Sequence, residues 1–381
     1  MTPDMKVLMT TDTVGGVWTY ALDLIRALRP HGVEVALATM GAAVSSDQRA
    51  QLQRLENATL FESTFALEWM PDPWNDVREA GRWLLELEQT LQPDVIHLNG
   101  YAHGALPFEA PIVVVAHSCV LSWWQAVKGE AAPPEWDTYR RAVQEGLRGA
   151  DAVVAPTAAM LECVHQHYGV LGNEHVIFNG RESAAYAVRT KSSFILSAGR
   201  FWDEAKNITA LDSVAPHLTW PIYVAGDVGG QHGANGRWTT NVRSLGRLDA
   251  GALAKRMSRA AIYAMPARYE PFGLSILEAA MSGCALVIGD IPSLREVWGD
   301  AAVYVPPTDT AQLTDAIREL CVNEGRRATF AARATERAQR YTLSQVGDRY
   351  KGLYRQLTDS ASFKESDSNA PGAQEGIACV S

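Results

Sequence analysis

Lys6-Val7-Leu8-Met9-Thr10-Thr11-Asp12-Thr13-Val14-Gly15-Gly16-Val17-Trp18 runs from a short apolar segment through two turn glycines into an amphipathic stretch that continues to Arg29. A second apolar run, Glu34–Thr39, follows after a few residues. Strand, helix and strand at this spacing make a βαβ unit, and such units build a parallel sheet covered by helices on both faces. Outward from this start the alternation continues through strand candidates Asp94–Leu98, Ile112–Ala116 and Ala152–Ala155. It lapses in a weakly patterned stretch, Arg181–Ser193, and restarts with Phe194–Ala198, Ile222–Ala225, Ala261–Met265 and Ala285–Ile288. The expected class is α/β, with two Rossmann-like domains over residues 1–185 and 190–341 and a hinge between Arg181 and Ser193. Helical patterns close the chain near Thr310–Cys321, Arg326–Arg340 and Ser344–Leu357, and the helix at about 342–358 is expected to pack back on the first domain. Periodicity ends at Thr358, so 359–381 reads as a disordered tail.

The composition agrees with two domains of ordinary size: 381 residues, 47% of them hydrophobic,. A formal net charge of -9 argues against nucleic acid as a partner, because counterion release needs clustered Lys and Arg. Cys119, Cys163, Cys284, Cys321 and Cys379 are odd in number and far apart, without a C-x-x-C pair. They suit a reducing cytoplasm better than a disulfide frame. Nothing at the N-terminus reads as a secretion leader, and no apolar stretch of about 20 residues predicts an integral membrane segment.

The segment richest in chemistry is Arg268-Tyr269-Glu270-Pro271-Phe272-Gly273-Leu274-Ser275-Ile276-Leu277-Glu278, a loop after the strand Ala261–Met265 that leads into a helix ending at Gly283. The N-terminus of such a helix points unpaired N–H groups and a positive dipole end at one spot, which suits an anion. Glu278 shares the apolar stripe of that helix with Leu274 and Met281, and a carboxylate there needs partners. Either the paired hydroxyls of a ribose or a neighbouring arginine would supply them. In Ser197-Ala198-Gly199-Arg200, followed by Lys206, a strand ends beside two cations of different reach, a pattern suited to a diphosphate or simply to the surface. His117 follows the strand Pro111–Ala116, at the sheet edge where open α/β folds bind ligands. The turn at Gly15-Gly16 lacks G-x-G-x-x-G, and the second strand ends in Thr39-Met40 with no acidic residue. A nicotinamide dehydrogenase is therefore disfavoured.

The Glu270 to Glu278 segment, with Pro271-Phe272-Gly273-Leu274 between the glutamates and Glu278-Ala279-Ala280 after, closely resembles the E-x7-E signature of glycosyltransferase family 4. These are retaining "group 1" enzymes of GT-B fold, with two Rossmann-like domains facing each other across a cleft. Smaller matches extend over nearly the whole chain: Val176-Ile177-Phe178-Asn179-Gly180, Ala225-Gly226-Asp227, Leu245-Gly246-Arg247 and Glu296-Val297. The resemblance implies that Glu270 holds hydroxyls of the donor sugar and Glu278 the ribose, while the backbone at Phe272, Gly273 and Leu274 holds sugar and phosphate. By the same resemblance Arg200 and Lys206 bind the diphosphate, His117 touches the transferred sugar, Gly15 and Gly16 lie against donor phosphate and acceptor, and Gly246 and Leu248 flank the base. Cys284-Ala285-Leu286 in place of the common proline, and Ser118-Cys119-Val120-Leu121-Ser122-Trp123-Trp124 after His117, depart from the pattern.

The implied activity is hexosyl transfer from a nucleotide sugar, UDP-linked first and GDP-linked second, with retention and no cofactor. No D-x-D motif is present to hold a divalent ion, so no metal is expected to bridge the diphosphate. Acceptors in this fold lie against the first domain, where Trp18, Asn99, Tyr101, His103, Trp123 and Trp124 are candidates to receive a soluble small molecule or glycan. A non-catalytic nucleotide-sugar sensor and a GT-B epimerase are the alternatives.

Overall fold

The computed structural model describes residues 4–200, 202–227 and 238–368, with side chains as far as 360. The first sheet contains β1 (Met5–Asp12), β2 (Val33–Met40), β3 (Ala58–Glu62), β4 (Val95–Leu98), β5 (Ile112–Val115), β6 (Ala152–Ala155) and β7 (Glu174–Val176). They lie in the order β3-β2-β1-β4-β5-β6-β7, all parallel. The second contains β8 (Ser192–Ala198), β9 (Ile222–Ala225), β10 (Val242–Gly246), β11 (Ala260–Met265), β12 (Ala285–Gly289) and β13 (Val303–Val305). Its order is β10-β9-β8-β11-β12-β13, again parallel. Each sheet reverses its strand order once, between β1 and β4 and between β8 and β11. Crossover helices diverge at such points and leave a crevice beyond the carboxyl ends of the strands.

Central strands are buried on both faces and read as unbroken apolar runs, as in Ile112–Val115 and Ala285–Gly289, while Val95–Leu98 is equally buried but admits His97,. Edge strands β3, β10 and β13 are half exposed, which is why their sequences carry no clear signal.

The chain crosses between domains twice, and the two crossings touch: Arg181 N–H donates to the Tyr341 carbonyl at 3.1 Å, and Arg181 and Thr342 form an isolated bridge. Gly180 is required there, since a Cβ would stand 2.7 Å from the Thr342 carbonyl oxygen. The last helix, Leu343–Ser368, then lies on the helix Gly16–Leu28 of the first domain. Val346, Tyr350, Leu353, Tyr354 and Leu357 join that domain's core. It is longer than its periodicity suggested. The backbone of 359–368 continues the helix and is not an irregular tail, because intrahelical bonds propagate past the last packed turn; residues 369–381 lie outside the described residues.

Trp18, expected to meet an acceptor, does not line the cleft between the domains. It is buried at 4% exposure, its indole N–H donates to Gln51 Oε1 at 3.0 Å, and it belongs to the core. The helix Gly16–Leu28 is covered by the sheet on one side and the C-terminal helix on the other, so most of its circumference is interior. Trp18→Ala should cost about 3–5 kcal/mol of stability, the usual price of emptying a buried aromatic site. Denaturant unfolding should show that loss; an unfolding midpoint equal to the parent's would place Trp18 outside the core.

Candidate active site

The loops at the carboxyl ends of β1, β4, β5, β8 and β11 meet around one cleft of about 1120 Å³. Gly15, Gly16, Asn99, Tyr101, His103, His117, Trp123 and Trp124 line it from the first domain. Arg200, Lys206, Leu248, Glu270, Phe272, Gly273, Leu274 and Glu278 line it from the second. Gly246 does not; its carbonyl accepts from Gly226 N–H at 2.8 Å, bracing the loop after β9 against the end of β10. Arg247 lines the cleft in its place.

On the second domain, Gly273 takes the left-handed conformation (φ 91°) that turns the loop into the helix Leu274–Met281. A Cβ there would stand 2.8 Å from Ile276 Cδ1. The Tyr263 hydroxyl donates to Ser275 Oγ at 2.8 Å, fixing the first turn. Lys206 Nζ and Glu270 Oε2 form a 2.6 Å ion pair, both side chains close to 14% exposed. The Glu270 carbonyl accepts from Ser293 Oγ at 2.6 Å. Arg200 reaches across to the glycine loop of the first domain: a Cβ on Gly15 would meet its Nη1 at 2.8 Å. With glycine at this position the guanidinium approaches the backbone without having to shift. The Gly15 and Val14 amides both donate to Asp12 Oδ1, at 3.0 and 3.1 Å. Burial raises the Asp12 pKa, opposed by those two amides and by Arg200.

On the first domain, His117 Nε2 lies 2.7 Å and His97 Nε2 3.2 Å from Asn99 Oδ1, while the Asn99 amide donates to the Thr10 carbonyl at 2.7 Å. A carbonyl-type oxygen only accepts, so both imidazoles carry their proton on Nε2. His97 Nδ1 then accepts from the Tyr354 hydroxyl at 2.7 Å, a contact made by the C-terminal helix. Burial, then the neighbouring His97, lowers the His117 pKa to about 3. His117 is therefore a neutral ring with Nδ1 as its acceptor. Asn99, expected to meet the acceptor, instead has its side chain committed to holding His117. His103 is similarly engaged, its Nε2 donating to the Val77 carbonyl at 2.9 Å.

Tyr101 lines the cleft at 3% exposure, its hydroxyl donating to the Ser118 carbonyl at 2.9 Å. Trp123 and Trp124 stand edge to face at 5.9 Å, and the Trp123 indole donates to Asp203 Oδ1 across the cleft at 2.9 Å. Other links between domains are Lys128 to Glu204 at 2.8 Å, Thr157 Oγ1 to the Pro271 carbonyl at 3.0 Å, and the Ala158 and Ala159 amides to Glu296 at 2.8 and 2.9 Å. The glutamate thus caps a first-domain helix from the second domain.

Several cleft groups escaped the sequence reading. Glu68 sits in the loop after β3, accepting from the Tyr101 amide at 3.0 Å and the Ala102 amide at 2.7 Å. Its pKa is raised by burial against the pull of those amides. Trp69, Trp136 and Tyr139 from the first domain and Tyr269 from the second also line the cleft. These residues come from three separated segments, around 68–69, 136–139 and 269, and no spacing within one of them could have flagged the set. Arg181 pairs with Glu278 at 2.7 Å, so of the two partners open to Glu278 an arginine is already in place.

Two parallel-sheet domains with cations and a helix N-terminus on one wall and an aromatic wall opposite define a GT-B glycosyltransferase. The family model "Glycosyltransferase Family 4" matches residues 14–184, and "Glycosyl transferases group 1" matches 192–323. The chain belongs to the group 1 glycosyltransferases of family 4. It is 26% identical over 382 residues to the phosphatidyl-myo-inositol mannosyltransferase of Mycobacterium leprae, covering 92% of this chain and 96% of that protein. The sucrose-phosphate synthase of Thermosynechococcus elongatus superposes with a TM-score of 0.78 at 18% identity, over 93% of this chain and 100% of that one. Anabaena HepE in complex with UDP-glucose superposes with a TM-score of 0.72 at 18% identity, over 93% and 100%. The protein is thus a hexosyltransferase that uses a nucleotide-sugar donor. Among the described residues no helix is long and apolar enough to cross a membrane.

Proposed function

We propose that the enzyme transfers a hexosyl group with retention, from a UDP-sugar before a GDP-sugar, to a soluble hydroxyl acceptor that bears no phosphate. The division of cations in the cleft carries this reading. Among the described lining residues, Arg200, Lys206 and Arg247 all belong to the second domain, beside the carboxylates of Asp203, Glu204, Asp227, Glu270 and Glu278; the first contributes the carboxylates of Asp12 and Glu68 and no Lys or Arg. Diphosphate therefore finds its countercharge on one wall only, and a phosphorylated acceptor would face carboxylates and aromatic rings on the other. Trp69, Trp123, Trp124 and Trp136 suit the C–H faces of a sugar-like molecule, with Glu68 accepting from its hydroxyls. The UDP-glucose bound by HepE favours uridine at the level of fold.

In the proposed step the acceptor oxygen bonds to the anomeric carbon on the face from which the diphosphate departs. The carbon–oxygen bond to phosphate breaks, and the acceptor proton passes to a leaving phosphate oxygen. Arg200, Lys206 and the amides leading into Leu274–Met281 receive the developing charge, the work a divalent ion would otherwise do. Glu270 holds the sugar, His117 Nδ1 accepts from one of its hydroxyls, and Glu278 holds the ribose. The test is a panel of UDP- and GDP-sugars with free and phosphorylated sugars as acceptors, in chelator. Chelator-resistant nucleotide release, an α-linked product from an α-donor and a preference for unphosphorylated acceptors are expected. An inverted product, a strict metal requirement or turnover confined to phosphorylated or membrane-borne acceptors would each overturn the corresponding claim.

A further inference from the structure

Arg181 lies at the junction of the two interdomain crossings and faces carboxylates from both domains. Its Nη2 pairs with Glu278 Oε1 at 2.7 Å, and its Nη1 pairs with Asp23 Oδ2, on the helix Gly16–Leu28. The Tyr186 hydroxyl accepts from Arg181 Nε and Nη2 at 3.0 and 2.6 Å. All three charged side chains are 12% exposed or less. Glu278 lines the cleft, and Arg181, Asp23 and Tyr186 stand behind it.

We infer that Arg181 is a positioning residue for the nucleotide, holding the Glu278 carboxylate toward the ribose subsite and tying it to Asp23 of the opposite domain. The inference rests on the reading of Glu278 as the ribose ligand. The groups facing Glu278 are Arg181, Tyr186, Asp23 and, from β11, Tyr263. Burial drives the Glu278 pKa up and Asp23 adds to it, whereas the Arg181 charge and hydrogen bonds from Tyr186 and Arg181 hold it down. Guanidinium geometry matters: a planar fork reaches two carboxylates and a hydroxyl from separate nitrogens, whereas an ammonium offers all its donors at one point,. Without that cation the buried carboxylate takes up a proton as pH falls, and a protonated Glu278 accepts less well from ribose hydroxyls.

The experiment is calorimetric binding of UDP and GDP to wild type, Arg181→Gln and Arg181→Lys between pH 5.5 and 8, each compared with its 2′-deoxy counterpart. Titration of the nucleotide's own phosphate cancels in the ratio of wild type to variant. For Arg181→Gln that ratio should grow as pH falls, to about tenfold at pH 6, and the preference for ribose over 2′-deoxyribose should shrink. Arg181→Lys should restore a nearly flat ratio with part of the affinity. A loss independent of pH and of the 2′-hydroxyl, alike in both variants, would show a merely structural role and overturn the inference, as would no loss. If Arg181→Gln does not fold, Tyr186→Phe carries the test, with the same pH trend at about threefold; its absence is equally decisive. Failure of wild type to bind UDP, GDP or their sugars would refute the underlying nucleotide reading, an outcome distinct from wild-type binding with unaffected variants.

Discussion

Glu270→Ala should turn over donor about a hundred- to a thousandfold more slowly than the parent while binding free UDP or GDP with nearly unchanged affinity. On the proposed reading Glu270 holds the donor sugar, so its contacts are absent from a nucleotide without sugar. An interaction that matters chiefly in the transition state appears in turnover and hardly in ground-state nucleotide binding. The structure adds a complication: Glu270 is paired with Lys206 at 2.6 Å before any ligand arrives. Donor must share or displace that contact. Glu270→Gln, which keeps the shape and loses the charge, should fall between parent and alanine variant. Glu278→Ala, in contrast, should weaken nucleotide and donor alike. Equal loss of nucleotide affinity in the Glu270 and Glu278 variants would refute the division of roles.

Lys206→Ala and Arg200→Ala should each reduce turnover by about two to three orders of magnitude, the usual consequence of removing one group aimed at developing charge in a dry site. Both should also weaken nucleoside diphosphates more than nucleosides. The two are expected to differ in one respect. Loss of Lys206 leaves Glu270, at 13% side-chain exposure, without its cation, and a buried carboxylate stripped of its partner is costly. Lys206→Ala should therefore unfold more readily than Arg200→Ala, whose side chain is 40% exposed and rests over the Trp202 ring at 5.2 Å. Steady-state kinetics on matched donors and thermal unfolding separate the two effects. A Lys206 variant with parental turnover would remove it from the diphosphate site.

The central strands were legible because burial on both faces leaves unbroken apolar runs such as Ile112–Val115 and Ala285–Gly289. β3, β10 and β13 were not, since a half-exposed edge has no such pattern. Glu270 and Glu278 stood out because the residues between and after them, all within one loop and one helix, resemble a family signature. Arg181 was hidden in the stretch with the weakest pattern, and its partners Asp23, Tyr186 and Glu278 lie on three different segments. Trp18 was misplaced, and Asn99, which does line the cleft, has its side chain engaged by His117 and Thr10, for a related reason. Spacing says that a side chain is aromatic or polar beside a turn but cannot say whether another helix or a histidine has already claimed it.

The sequence by itself determined two parallel α/β domains and the strand ends whose loops line the cleft, because each is written in local periodicity, and it singled out Arg200, Lys206, Glu270 and Glu278 through short motifs that resemble one family. Only the tertiary structure decided which carboxylate meets which cation, that Glu68 and several aromatic rings line the same cleft, and that the last helix reaches His97 through Tyr354. Those facts depend on contacts between residues far apart in the chain. Their energies come from burial and geometry in three dimensions, which one-dimensional spacing does not encode.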